Sequence, residues 1–287
     1  MKIFHHDDAD GRCAAFLVRE FACAAGDRSR LIEMDYRDPF PLFDGTVIGP
    51  GEQVWILDFS IPPDQMSVLV ERTPDIIWID HHRTAINDYE KFPLRIPGIR
   101  RDGEAACVLT WEYLLGCGCM PVSMSGAPPP LFVQLIGDRD VWRFARGDDT
   151  RHFHLGLQAH DTRPHAEVWR KLLRSPPYTL RLIEDGRTIG GYRDALAADH
   201  LRKWGFPAEF EGHRCLAVNA AGWGSEHFAS AAGYDILAPF AFDGEMWTVT
   251  LYSGTVDVSK IAVRHGGGGH MGAAGFTCRE LPFARGT

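Results

Sequence analysis

The chain has 287 residues, of which 45% are hydrophobic and 24% charged, and its formal net charge at pH 7 is −8. That length exceeds what one compact core usually holds, so two domains are expected, and the composition is that of an ordinary globular protein. The negative balance excludes wrapping of long duplex nucleic acid by a broad basic surface, and no apolar run approaches the roughly 20 residues that cross a bilayer.

The N-terminus, MKIFHHDD, has no apolar leader core. Seven cysteines, an odd number without paired spacing, suit a reducing compartment, and a cytoplasmic protein is expected. Four segments then share one layout, an apolar run followed by acidic or histidine residues: MKIF-HHDDAD, QVWIL-DFS (53–60), DIIWI-DHH (75–82) and LFVQLIG-DRD (131–140). The second and third are short, β-branched and aromatic, and predict buried parallel strands. The fourth is longer and could be a helix that delivers Asp138 at its end. Between them, 10–26 carries apolar residues at 13, 16, 17, 21 and 24 and stops at a glycine, and 104–116 repeats the device; both predict amphipathic helices. Strands alternating with helices give an α/β fold with a doubly wound, mostly parallel sheet, whose ligands sit beyond the carboxyl ends of the strands. The Pro-Pro of LLRSPPYTL marks a break, 186–204 predicts a connecting helix, and HRCLAVNA, YDILAPFAF and MWTVTLYSG predict strands of a smaller second domain. The expected division is 1–185, 186–204 and 205–287.

The acidic clusters carry the chemistry. His6-x-Asp8-x-Asp10-Gly11 alternates along a strand end, Asp58 follows the second run, Asp80-His81-His82 the third, and Asp138 or Asp140 the fourth. Any one of these alone is ordinary: an Asp at a strand end is commonly a helix N-cap, as Asp10 could be. All four in one order, each at the end of an element, indicate a site. Carboxylates mixed with imidazoles suit Mn2+, Zn2+ or Fe2+, and a set of this size suits two ions about 3.5–4 Å apart rather than one. Glycines 266–269 ahead of His270 let backbone N–H groups approach a phosphate. His152-x-His154 has no third ligand and reads as surface or a substrate rim, Cys117-x-Cys119 lacks a partner pair, and Trp142 could stack on a base.

The set HxDxDG, DFS, DHH plus a fourth acidic segment resembles the DHH phosphoesterase family, and GGGGHMGAAGF resembles the DHH-associated domain that follows it, together spanning residues 4 to 276. Within that family the TLYSGTVDVSKIAVRHGGGGH run is most similar to bacterial oligoribonucleases and dinucleotide phosphodiesterases. The resemblance implies a two-metal hydrolase, Mn2+-dependent with Mg2+, Fe2+ or Co2+ as substitutes. It would cleave short RNA or linear dinucleotides of the pApA or pGpG type to nucleoside monophosphates in an interdomain cleft. It further implies that His6, Asp8 and Asp58 hold one ion, and that Asp10, Asp58, His81 and the fourth aspartate hold the other, with Asp58 bridging. Asp138 is preferred as the fourth ligand because it directly follows the apolar run. His82 would face the scissile phosphate and Asp80 would orient the imidazoles. Arg264, Gly267, Gly268, Gly269 and His270 would bind substrate; many relatives carry Arg where Tyr252 stands, which shifts a phosphate contact to Arg264 or Lys260. Alternatives are a phosphatase for 3′,5′-bisphosphate nucleotides, a pyrophosphatase, or a nucleotide-binding protein without activity.

Overall fold

The computed structural model describes residues 1–23, 29–35, 39–41, 48–90 and 92–283. In chain order the first part comprises β1 (Lys2–His6), α1 (Ala9–Phe21), β2 (Arg30–Met34), β3 (Val54–Leu57), α2 (Pro63–Arg72), β4 (Ile76–Ile79), α3 (Arg83–Asp88), α4 (Ala106–Gly116), α5 (Leu131–Asp140), α6 (Asp148–Gln158), α7 (Glu167–Arg174) and the 29-residue α8 (Pro176–Trp204). The second comprises β5 (Phe206–Phe210), β6 (His213–Asn219), β7 (Ile236–Phe242), β8 (Trp247–Tyr252), α9 (Val258–Arg264), β9 (Gly268–His270) and β10 (Ala273–Cys278). The chain divides into two compact units, Met1–Ile189 and Gly190–Thr287, and the division falls inside α8. Among the described residues no helix is long and apolar enough to cross a membrane.

In the first unit four strands pair in parallel in the order β2-β1-β3-β4. Every residue of β3 and β4 is buried. Because side chains alternate across a strand, Trp55, Leu57, Ile77 and Ile79 join a core with α1, α4 and α5, while Val54, Ile56, Ile76 and Trp78 join another with Met66, Leu69 and Ala85 of α2 and α3. Both faces are therefore covered, which is why these strands are uninterrupted apolar runs. Gly11 sits where α1 leaves β1: a Cβ there would lie 2.5 Å from the carbonyl oxygen of His6, so only glycine fits this close return. The expected end of α1 at Gly26 lies outside the described residues; the helix proper ends at Phe21.

The long helix starts earlier than its expected boundary at 186. Pro176 and Pro177 open α8 rather than break the chain, since a first helical turn needs no N–H from proline. Gly186 is instead a crossing point: a Cβ would fall 1.7 Å from the His152 carbonyl oxygen, and one at Gly156 would fall 2.0 Å from that of Leu182. The α6 and α8 backbones pack closer than any side chain permits.

The second unit is a six-stranded mixed sheet ordered β5-β6-β7-β8-β10-β9, parallel only between β6 and β7. Val258, Ile261 and Ala262 of α9 complete its core with Val249, Leu251, Ala274 and Phe276. The glycine run forms a hairpin with β10, pairing His270 with Ala273 and Gly269 with Ala274.

Candidate metal centre

The carboxyl ends of β1, β3 and β4, the start of α1 and the end of α5 bring seven polar side chains together. Asp8 caps α1, accepting from the Gly11 N–H at 2.9 Å, and its other oxygen lies 3.0 Å from His6 Nδ1. Asp10 is not the cap. It is buried, with its two oxygens accepting from the Ala106 and Cys107 N–H groups at 2.7 and 2.8 Å at the start of α4. Asp58 takes a left-handed φ of 64°, rare for a residue with a side chain, and its N–H donates to Ile79 O at 2.9 Å. Its carboxylate stands 3.9 Å from His6 Nδ1 through one oxygen and 3.2 Å from His81 Nε2 through the other. His81 Nε2 also lies 3.3 Å from Asp140 and 3.9 Å from Asp10. Three sets of candidate ligand atoms result, each within 4.8 Å of one another: His6, Asp8 and Asp58; Asp10, His81 and Asp140; and Asp58, His81 and His82.

The fourth aspartate of this cluster is Asp140, not Asp138. The Asp138 carboxylate is buried and accepts from the N–H groups of Ala145 (2.8 Å) and Arg146 (3.2 Å) and from the Thr150 hydroxyl. Helix α5 continues past Asp138, and two positions rotate a side chain by about 200°, so the two carboxylates cannot share a face. Sequence shows the pair but not which face meets the sheet edge.

Asp80 stands behind the histidines. Its Oδ1 lies 2.7 Å from His82 Nδ1 and accepts from the His81 and His82 N–H groups at 2.8 and 3.3 Å. It thus orients the His82 ring directly and His81 through its backbone. The hydrogen bond to Asp80 raises the His82 pKa against the opposing effect of burial.

The electrostatics of the cluster call for cations. Burial, then the charges of Asp10, Asp8, Asp140 and Asp80, pushes the Asp58 carboxyl well above the usual carboxylate range. Burial, then Asp8, raises Asp10. Burial, with Asp10 and Asp8 behind it, moves Asp140 to about 8. Asp8 goes the other way: burial raises it, but the hydrogen bonds from His6 and Gly11 and the His6 charge outweigh that and bring it to about 2. Both oxygens of buried Asp58 and one of Asp140 lack a hydrogen-bond partner. An unbonded buried carboxylate is costly, and a divalent ion would satisfy it, so the donor set fits metal.

The residues selected from sequence for substrate binding lie in the second unit. Arg264 is engaged by Glu211 at 2.9 Å. Hairpin packing itself requires glycine at 267 and 269, where a Cβ would fall 2.1 Å from Gly275 O and 2.5 Å from Ala274 Cα; a Cβ at Gly268 would meet open space. His270 is exposed. Tyr252 donates to Trp223 O at 3.2 Å, and Lys260 pairs with Asp257 at 3.2 Å.

No protein-family model matches the chain. It is 24% identical over 255 residues to an uncharacterized protein of Acanthamoeba polyphaga mimivirus, covering 82% of this chain and 56% of that protein, so it spans little more than half of that relative's length. Among solved structures it is similar to the pGpG-specific phosphodiesterase PggH of Vibrio cholerae, with a TM-score of 0.58 and 12% identity over 97% of this chain and 93% of the other. A second similar structure is an exopolyphosphatase-related protein of Bacteroides fragilis, with a TM-score of 0.53 and 16% identity over 98% and 87% of the two chains. A third is the DHH domain of a member of the S1p family of ribosomal proteins, with a TM-score of 0.51 and 16% identity over 96% and 81%. At such identities the likeness is one of architecture, a parallel four-stranded sheet between helices followed by a mixed sheet: the chain has the DHH-domain fold.

Proposed function

We propose that the protein is a two-metal phosphodiesterase that hydrolyses short oligoribonucleotides or linear dinucleotides, such as pApA and pGpG, to nucleoside monophosphates. The observation that carries this reading is Asp58: a buried carboxylate, without a hydrogen-bond partner on either oxygen, facing His6 through one and His81 through the other, and grouped with Asp8 as candidate ligands. His6, Asp8 and Asp58 would hold one ion, Asp10, His81, Asp140 and Asp58 the second, with Mn2+ the best match to mixed carboxylate and imidazole donors. When bound, such a pair supplies Lewis-acid stabilisation of phosphoryl charge and a nucleophile at neutral pH. The chain's own residues orient the rest. His82, its Nδ1 committed to Asp80, turns Nε2 to the substrate and, with its raised pKa, donates to the leaving oxygen. Gly268 and His270 take a substrate phosphate through backbone and imidazole N–H groups. The likeness to the pGpG-specific enzyme supports a dinucleotide-sized substrate. Product analysis on RNA of two to ten nucleotides with Mn2+ tests the reading: monophosphates, released fastest from the shortest chains, are expected, and turnover confined to bisphosphate nucleotides would replace it with a phosphatase.

A further inference from the structure

The last turn of α5 carries an arginine, Arg139, between the two aspartates. The loop that follows is unusual. Trp142 and Phe144 have φ of 55° and 50°, a left-handed region that disfavours residues with side chains and persists only where surroundings impose it. Asp138 imposes it here: its carboxylate takes the Ala145 and Arg146 N–H groups, and its carbonyl accepts from Arg143 N at 2.9 Å. The strained loop sets two aromatic rings edge to face, 5.0 Å apart at 89°, and brings both to Arg139. The guanidinium carbon lies 4.0 Å from the Trp142 ring centroid and 5.7 Å from that of Phe144. Stacking uses the guanidinium face and directs its N–H donors edgewise, the geometry that meets phosphate oxygens in pairs.

Arg139 also lines a cavity of about 180 Å3 together with Asp8, Asp10, Asp140, Phe153 and His154. A group in this cavity therefore touches both the acidic cluster and Arg139. Arg139 places a positive charge beside the carboxylates that line this cavity.

We propose that Arg139 is a substrate-contacting residue, its guanidinium held on the Trp142 face and donating to non-bridging oxygens of the phosphoryl group at the acidic cluster. Asp138 is the positioning residue that holds the loop bearing the aromatic clamp. This assignment rests on the phosphoesterase reading, but its test does not need turnover.

Affinity for inorganic phosphate is measured by calorimetry on the full chain loaded with Mn2+, alongside kcat and KM on bis-p-nitrophenyl phosphate and pApA. Arg139→Met should keep its Mn2+ stoichiometry and bind phosphate roughly 10- to 100-fold more weakly, the size of one charged hydrogen-bonding partner. Both substrates should lose kcat/KM by a similar factor, since each presents a phosphoryl group to the same site. Arg139→Lys should recover part of the affinity, and Asp138→Asn should weaken phosphate by a smaller factor with its metals intact. Unchanged phosphate affinity in metal-loaded Arg139→Met overturns the assignment, as does loss of Mn2+ that accounts for the whole effect. If the unmodified protein hydrolyses no phosphoester, the functional reading falls while the phosphate comparison still decides the role of Arg139. Absence of phosphate binding by the unmodified, loaded protein overturns both.

Discussion

Two carboxylates two positions apart, Asp138 and Asp140, have unlike environments because the helix turns them to opposite faces. Asp138 accepts two backbone N–H groups and a hydroxyl, which hold it below the usual carboxylate range although burial opposes that. Asp140 meets His81 and the other acids. Asp140→Asn should weaken Mn2+ binding by about 10-fold or more with little loss of stability, whereas Asp138→Asn should retain its Mn2+ and lose about 1–3 kcal/mol in urea unfolding. The reverse pattern would return Asp138 to the ligand set. The two histidines divide in the same manner. His81→Ala should raise the Mn2+ concentration needed for half-maximal activity, while His82→Ala should leave that concentration unchanged and lower kcat by about 10^2- to 10^4-fold. Equal metal dependence in the two variants would count against separate roles, since His82 is also within ligand distance of Asp58 and His81. His6, Asp8, Asp10, Asp58 and His81 were legible as a group in the sequence because each ends an apolar run. The choice at α5 was not, and neither was Arg139, because both depend on which face of one helix meets the sheet.

At the scale of elements, the strands most visible in sequence are those buried on both sides. VWIL and IIWI leave no alternative to β3 and β4, whereas RLIEM (β2) lies at the sheet edge, keeps exposed residues at 30 and 33, and gives no such signal. Helix α8 was legible only in part. A Pro-Pro pair looks like an interruption, yet the prolines start the helix, and Gly186 within it serves a backbone crossing with α6. Local propensity cannot reveal a contact made thirty residues away. Gly186→Ala should accordingly lower stability by about 1–3 kcal/mol or more, because the Cβ would meet a carbonyl oxygen held within α6 rather than a side chain that can move. A thermal melt equal to that of the unmodified protein would show that the two helices separate more easily than this packing implies.

For the molecule as a whole, the cluster concentrates negative charge at one end of a parallel sheet, and its stability should record the strain. Asp140 holds its proton in the fold up to about 8, against an ordinary value of 3.8, and Asp58 and Asp10 are raised as well. Between those values the folded chain binds protons that the unfolded chain has released, so raising the pH lowers the stability of the metal-free protein. His6 and His82 act with the same sign. Their raised pKa values give stability that is full below the ordinary 6.5 and lost as the pH rises through the raised value. Asp8 contributes in the opposite sense only as the pH falls from 3.8 toward 2. The melting temperature without metal should therefore fall by about 5 °C or more from pH 5.5 to 8, and added Mn2+ should raise it more at pH 8 than at pH 5.5. A flat or rising profile would mean that the acids are already relieved without a cation. If Asp58 joins two divalent sites, calorimetric titration of Mn2+ into the unmodified protein and into Asp58→Ala will register the link. Two ions per chain are expected in the former, with both sites weakened together in the latter; a single ion per chain, or two sites that survive Asp58→Ala unchanged, would contradict it.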